Sequence, residues 1–245
     1  VNLAIDIGNT LIKTGVFDGK NLLEVSAFDK SIFENQVSDL LSRFRSIHQV
    51  IFSSVAESTA EYECVFAQDI QIFHLDAELS LNFSSRYDDV MTLGADRKAL
   101  VAAAIMKYPS QNVLVIDMGS CVTYDIVDAA GLHHGGGISP GWQMRIKAMH
   151  EFTGRLPNLS TLNKEFDSDL LTGTNTSDAM FNSTFFGLIA EIDKRIDYYE
   201  SEFPDLTVIL TGGDARSFSV RLKSRIFAHS NFLLEGLNAL LEHNL

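Results

Sequence analysis

Two stretches of this 245-residue chain share one layout, and the repeat limits the possible folds more than any other feature. Leu3 to Gly15 reads LAIDIGNTLIKTG, and Val113 to Ile126 reads VLVIDMGSCVTYDI. In each, an apolar run carries a carboxylate and then breaks at a glycine turn. Aligning Asp6 with Asp117 places Gly8 on Gly119 and Asn9 on Ser120, and Thr123 continues the pattern. A short apolar run bounded by turn residues reads as a buried strand, and a second run after a tight turn reads as a hairpin. The chain is therefore expected to contain two related halves, each opening on a hairpin.

The rest of the chain supports that division. In the first half, Leu3 to Ile7, Thr10 to Phe17 and Leu22 to Phe28 read as a three-stranded meander, with a turn at Asp18-Gly19. Ile32, Phe33, Val37, Leu40, Leu41 and Phe44 follow helical spacing. Strands over Gln49 to Ser53 and Ile70 to Leu75 flank a helical segment from Thr59 to Phe66. Leu81 to Thr92 reads as a loop, and an Ala-rich helix runs from Asp96 to Tyr108, stopped by Pro109. The pattern restarts at Val113, followed by strands over Thr123 to Val127 and His133 to Ile138. Helices are expected over Gly141 to Phe152, Ser177 to Phe203 with a break near Gly187, Arg216 to Leu222 and Asn231 to Glu242. A polar loop covers Thr153 to Phe166, and Leu206 to Leu210 reads as a further strand. Helices alternating with strands favour an α/β fold with mixed sheets, divided near Pro109 to Gln111.

Composition narrows the function class. The net charge of −13 opposes nucleic-acid binding, which needs clustered Lys and Arg. Cys64 and Cys121 lack CxxC spacing, so neither a disulfide framework nor a structural zinc site is expected. No basic-then-apolar leader opens the chain, and no apolar stretch reaches the roughly 18 residues of a membrane span. A reducing cytoplasm is the expected compartment. His133-His134 are neighbours on a strand and so point to opposite faces, which opposes a shared metal.

The chemistry concentrates in three turns and one helix start. A carboxylate at the end of a buried strand is costly unless it is paired or used. Gly8 would let backbone N–H groups approach a phosphate, Asn9 and Thr10 could donate to it, and Lys13 adds a counter-charge. A plain hairpin with a capping Asp explains one such turn as well. The repeat at Asp117, Gly119 and Ser120 favours two loops holding a polyphosphate with its Mg²⁺. Val208 to Phe218, VILTGGDARSF, leads a strand into Gly212-Gly213, which suits either a flat ligand or simple turn chemistry. Asp96 stands where it could cap the Ala-rich helix or accept a proton, and Arg97 suits a carboxylate ligand.

Taken together, IDIGNT (5–10), GADR (94–97), DMGSCVTYD (117–125), GGGISPG (135–141), TGRLP (153–157), TNT (174–176), TGGDA (211–215) and EGLNALL (235–241) resemble type III pantothenate kinase. That family lies in the acetate and sugar kinase, Hsp70 and actin superfamily. The resemblance spans the whole chain. It implies two ribonuclease H-like domains, 1–110 and 111–245, with an ATP cleft between them and the dimer helix in the second. It implies ATP-dependent phosphorylation of pantothenate to 4′-phosphopantothenate, the first step of coenzyme A biosynthesis.

Asp6, Gly8, Asn9, Thr10, Lys13, Gly119, Ser120, Gly212 and Gly213 match the ATP and phosphate positions, with Asp6 oriented to Mg²⁺–ATP. Asp96 matches the general base. Tyr87, Gly94, Ala95, Asp96 and Arg97 match the pantothenate site, together with Thr176 from the neighbouring subunit of a homodimer. Asp117 matches a site for a monovalent cation, K⁺ or NH₄⁺. Val90 and Asn182-Ser183 depart from the family pattern, at the substrate loop and the dimer helix. The competing readings are another small-molecule kinase of the superfamily and a non-catalytic regulatory homologue.

Overall fold

A computed structural model describes residues 1–8, 11–54, 59–76, 79–159, 171–223 and 226–245. They form two compact units. The first contains Val1–Ser110, Ala130–His134 and Asn231–Leu245; the second contains Gln111–Ala129 and Gly135–Ser230.

The first unit begins with β1 (Asn2–Ile7), β2 (Ile12–Asp18) and β3 (Asn21–Phe28), the expected antiparallel meander. A single 3₁₀ turn, capped by Asp29, leads into α1 (Phe33–Arg43). Then come β4 (Gln49–Ser54), α2 (Ala60–Glu63), β5 (Gln71–His74), the two-residue β6 (Ser84–Ser85) and α3 (Ala95–Lys107). The sheet order is β3-β2-β1-β4-β5, with β4 parallel to β1 and β5 parallel to β4.

Period-two alternation along β1 decides what each sheet face meets. Leu3, Ile5 and Ile7 pack with Val50 and Phe52 against Phe33, Val37 and Leu40 of α1. Ala4 turns to the other face, where Phe17 and Ile51 meet Ala99 and Ala102 of α3 and Leu234, Leu237, Leu240 and Leu241 from the last helix. Asp6 lies on that second face by the same alternation.

The second unit holds β7 (Val113–Met118), β8 (Cys121–Val127), most of β9 (Leu132–Pro140), α4 (Trp142–Glu151), α5 (Thr176–Glu202), β10 (Thr207–Thr211), α6 (Ala215–Ser219) and β11 (Ile226–Ala228). Its strands run in the order β11-β10-β7-β8-β9. β7 and β8 are antiparallel, and β10 lies parallel to β7. Leu114, Ile116 and Met118, with Val122 and Tyr124, pack under Phe181, Phe185, Leu188, Ile192 and Ile196 of α5. Trp142 is a core residue: its ring meets Phe185 and Phe218, and its indole N–H donates to Thr184 Oγ1 at 3.0 Å. No helix among the described residues is long and apolar enough to cross a membrane.

Four expectations are corrected. α5 runs unbroken through Gly187, because Phe185, Leu188, Ile189 and Ile192 on either side are all buried and hold the helix to the core. The expected helix over 216–222 is a short one, Ala215–Ser219. The loop expected over Leu81 to Thr92 contains the two-residue β6, a strand too short to show a period; β11, over which no element is expected, is similarly short. The last helix, α7 (Phe232–His243), and residues 130–134 group with the first unit, so the two units do not divide simply into 1–110 and 111–245. α7 returns because its leucines complete the first core. Close approach to α3 requires Gly236, where any side chain would run into the Ala99 carbonyl. The Asn238 amide also donates to the Gly19 carbonyl at 2.8 Å and accepts from the Asn2 amide at 2.9 Å.

Candidate active site

In the first unit the β1–β2 hairpin places Asp6 opposite Lys13 on β2 and beside Ser53 on β4. The turn is closed by the Gly8 amide donating to the Leu11 carbonyl at 3.1 Å. Asn9 and Thr10 lie outside the described residues. Burial pushes the Asp6 carboxyl up to about 6; Lys13 and a hydrogen bond from Ser53 oppose the shift, and the negative Asp96 adds to it. Asp6 thus feels the charge of Asp96. The topology explains why: Asp6 is on the sheet face that α3 covers, and Asp96 is in the first turn of α3.

The GADR segment can be read atom by atom. Gly94 is the N-cap residue of α3, with the Lys98 amide donating to its carbonyl at 2.9 Å. Asp96 does not cap the helix from outside; its Oδ1 accepts the Arg97 amide at 2.8 Å. A side chain at Gly94 would place its first carbon 2.6 Å from Asp96 Oδ1, so glycine there leaves room for the carboxylate. Ala95 begins the helix. Arg97 is only 3% exposed, which excludes a surface cation. Its Nη1 donates to the Tyr87 hydroxyl at 3.2 Å, and its guanidinium carbon lies 5.4 Å from the Tyr87 ring centre. Tyr87 and Arg97, ten residues apart in sequence, therefore form one unit of the site.

Behind them stands a residue whose role the sequence did not reveal. His133 is fully buried, stacked on Tyr87 with ring centres 6.3 Å apart, and its Nδ1 lies 2.8 Å from Ser85 Oγ. Ser85 Oγ also accepts the Tyr87 amide at 3.0 Å. His134, next along β9, is partly exposed. Among the described residues, no group of three or more His, Cys, Asp or Glu side chains could hold a metal ion.

In the second unit the β7–β8 hairpin repeats the first with one residue fewer. Asp6 pairs with Lys13, seven positions on, whereas Asp117 pairs with Thr123, six positions on. The Gly119 amide donates to the Cys121 carbonyl at 3.0 Å, and Ser120 is exposed at the tip. Thr123 is buried, and its hydroxyl has no hydrogen-bond partner among the described residues. The Gly212-Gly213 turn docks on this hairpin. Gly212 has φ +96°, and a side chain there would come 2.5 Å from Asp117 Oδ1 and from the Met118 backbone. The Asp214 amide donates to the Met118 carbonyl at 3.1 Å, and burial raises the Asp214 carboxyl above its ordinary value. Gly213 is exposed, with open space where a side chain would stand. Thr176 is exposed at the start of α5, one residue after Asn175, whose side chain accepts the Asp178 amide at 2.9 Å.

A profile describing type III pantothenate kinase matches residues 2–197. The chain belongs to that family. A type III pantothenate kinase of Christiangramia forsetii is 42% identical over 244 residues, covering 100% of this chain and 99% of that one. Among solved structures, a Campylobacter jejuni protein carrying the provisional description of a Baf family transcriptional activator superposes with a TM-score of 0.63 at 21% identity, covering 99% of this chain and 98% of its own. A Thermus thermophilus ROK hexokinase superposes with a TM-score of 0.50 at 13% identity over 98% of this chain and 99% of its own. Likeness at such low identity speaks to fold alone. It agrees with an α/β architecture built on two mixed sheets.

Proposed function

We propose that this chain phosphorylates pantothenate to 4′-phosphopantothenate with ATP, the first step of coenzyme A biosynthesis, in the cytoplasm. Family membership supports the reaction. The observation that carries the residue roles is the gathering of Asp6, Lys13 and Ser53 with Asp96 in one unit, with Arg97 following Asp96 and held to Tyr87.

Asp96 takes the proton of the substrate hydroxyl as the oxygen attacks the γ-phosphorus and the bond to ADP breaks. Asp96 Oδ1 accepts the Arg97 amide in the first turn of α3, which holds the carboxylate in place as a proton acceptor. Arg97 holds the pantothenate carboxylate, and Tyr87 lines the same pocket. Asp6 and Lys13 face the Mg²⁺–ATP end, and the turn that begins at Gly8 approaches the phosphates. A carboxylate that burial makes costly to ionise gains from a nearby cation, so Asp6 fits that role. Gly119 and Ser120 take the second phosphate contact, and Gly212-Gly213 the adenosine. Asp117 would hold a K⁺ or NH₄⁺ ion, whose charge lowers the cost of phosphate anions there. The protein acts as a homodimer to which Thr176 of one subunit brings a pantothenate contact for the other.

Coupled ADP release with and without pantothenate tests the reaction. Stimulation by pantothenate, and not by sugars, is expected; its absence would sink the reading. In Asp96→Asn, turnover should fall about 10²–10⁴-fold while nucleotide binding stays intact. Near-normal turnover removes Asp96 from the base role.

A further inference from the structure

Arg145 lies outside every position assigned above, yet three of its hydrogen bonds converge beside the second phosphate turn. It sits in the first turns of α4. Its Nε donates to the Pro140 carbonyl at 2.8 Å, and its Nη2 donates to Ser139 Oγ at 2.9 Å and Glu191 Oε2 at 2.5 Å. The Arg145 and Glu191 side chains are both partly buried, 22% and 25% exposed. Glu191, on α5, is held in turn by the Tyr124 hydroxyl, which donates at 3.1 Å from β8. Burial opposes ionisation of Glu191, but hydrogen bonds from Arg145, Ser139 and Tyr124 prevail and hold its carboxyl below the usual range.

What this fork grips is the end of β9. Beyond Pro140, the Gly141 amide donates to the Ser120 carbonyl at 3.0 Å. A side chain at Gly141 would place its first carbon 2.6 Å from that same oxygen, so the two backbones touch with nothing between them. A continuous path therefore runs from the guanidinium through Pro140 and Gly141 to the peptide that carries Ser120. Tyr124 anchors the other end of the network on the strand that leaves the same hairpin. Planar, forked donation to two oxygens on one side and a carbonyl on the other is a property of arginine; a lysine supplies only a point charge.

We propose that Arg145 is a positioning residue for the nucleotide: it fixes Ser139–Gly141 against Gly119-Ser120 and thereby sets the direction in which that turn presents itself to phosphate. The inference rests on reading Gly119-Ser120 as a phosphate turn, and the experiment separates the two claims. Steady-state kinetics are measured with each substrate varied in turn for Ser120→Ala, Arg145→Met, Arg145→Lys, Glu191→Gln and the Ser120→Ala/Arg145→Met double variant, with melting temperatures alongside.

Arg145→Met should raise the KM for ATP about tenfold, keep the KM for pantothenate within about twofold, and lower kcat less than the KM rises. Arg145→Lys should recover only part of the loss. The double variant should fall short of the product of the single effects, because both act through one turn. If Arg145→Met does not fold, Glu191→Gln, which loosens the same fork at nearly constant volume, should show the smaller ATP-specific rise. Equal rises in both KM values, full recovery by lysine, or an unchanged KM for ATP would overturn the proposal. A raised KM for ATP in Ser120→Ala with none in the Arg145 and Glu191 variants overturns the proposal alone. No rise in Ser120→Ala overturns the phosphate-turn reading and the proposal with it.

Discussion

Asp6 is where the chemistry of single residues has the widest consequence. Its carboxyl titrates near 6 in place of its ordinary 3.8, mainly because it is buried. Between about pH 4 and pH 6 the folded chain therefore holds a proton that the unfolded chain has lost. Stability from this group is fully present below the unfolded value and falls as pH rises through the folded one. Asp6→Asn should thus stabilise the ligand-free chain by about 1–3 kcal/mol at pH 8 and by almost nothing at pH 4, read from urea unfolding. In the role proposed for it, Asp6 would meet Mg²⁺–nucleotide as the ionised carboxylate, so nucleotide affinity should rise over the same window. Because Asp96 helps push Asp6 up, Asp96→Asn should move that binding transition to lower pH; an unmoved transition would show the two carboxylates to be uncoupled. The sequence made Asp6 legible as a carboxylate in an apolar run, whereas Asp96 and Arg97 stand out only through the GADR resemblance, since an Asp at a helix start is ordinary. It left Ser53, His133 and Arg145 dark. Each meets a partner 46 to 48 positions away in sequence, and no local pattern records such a pairing.

Among secondary-structure elements, period and turn chemistry identified both hairpins, the meander, the Ala-rich α3 and the long α5. They fail where an element is too short for a period, as at β6 and β11, and where a lone glycine suggests a helix break. Gly187 does not break α5 because the buried residues around it outweigh one unfavourable propensity. It is exposed, and a first side-chain carbon there would have nothing within 4 Å. Gly187→Ala should therefore stabilise the chain by about 0.5–1 kcal/mol, since alanine loses less backbone freedom on folding. Thermal unfolding checks this. A lower melting temperature would mean that the exposed face needs the missing side chain, as close packing of a second subunit would require.

For the chain as a whole, the largest departure from the sequence reading is the return of α7. Periodicity showed an amphipathic helix but could not say which sheet it covers, because either half offers an apolar face. The answer lies in fit. The first sheet's second face carries Ala4, Phe17 and Ile51 with the alanines of α3, and Leu234, Leu237, Leu240 and Leu241 fill the space beside them. Removing them would strip several fully buried side chains, each worth roughly 1.5–3 kcal/mol. Against a total stability of about 5–15 kcal/mol, that loss is decisive. A fragment ending at Ser110 should consequently fail to unfold cooperatively in urea. The same fragment joined through a flexible linker to residues 231–245 should recover a cooperative transition. Asn238→Ala in the full chain should cost about 1–3 kcal/mol, because the Gly19 carbonyl and one hydrogen bond of Asn2 lose their partner. If the short fragment folds alone, α7 only decorates the first unit, and the carboxylate pair at Asp6 and Asp96 is held by β1 and α3 without it.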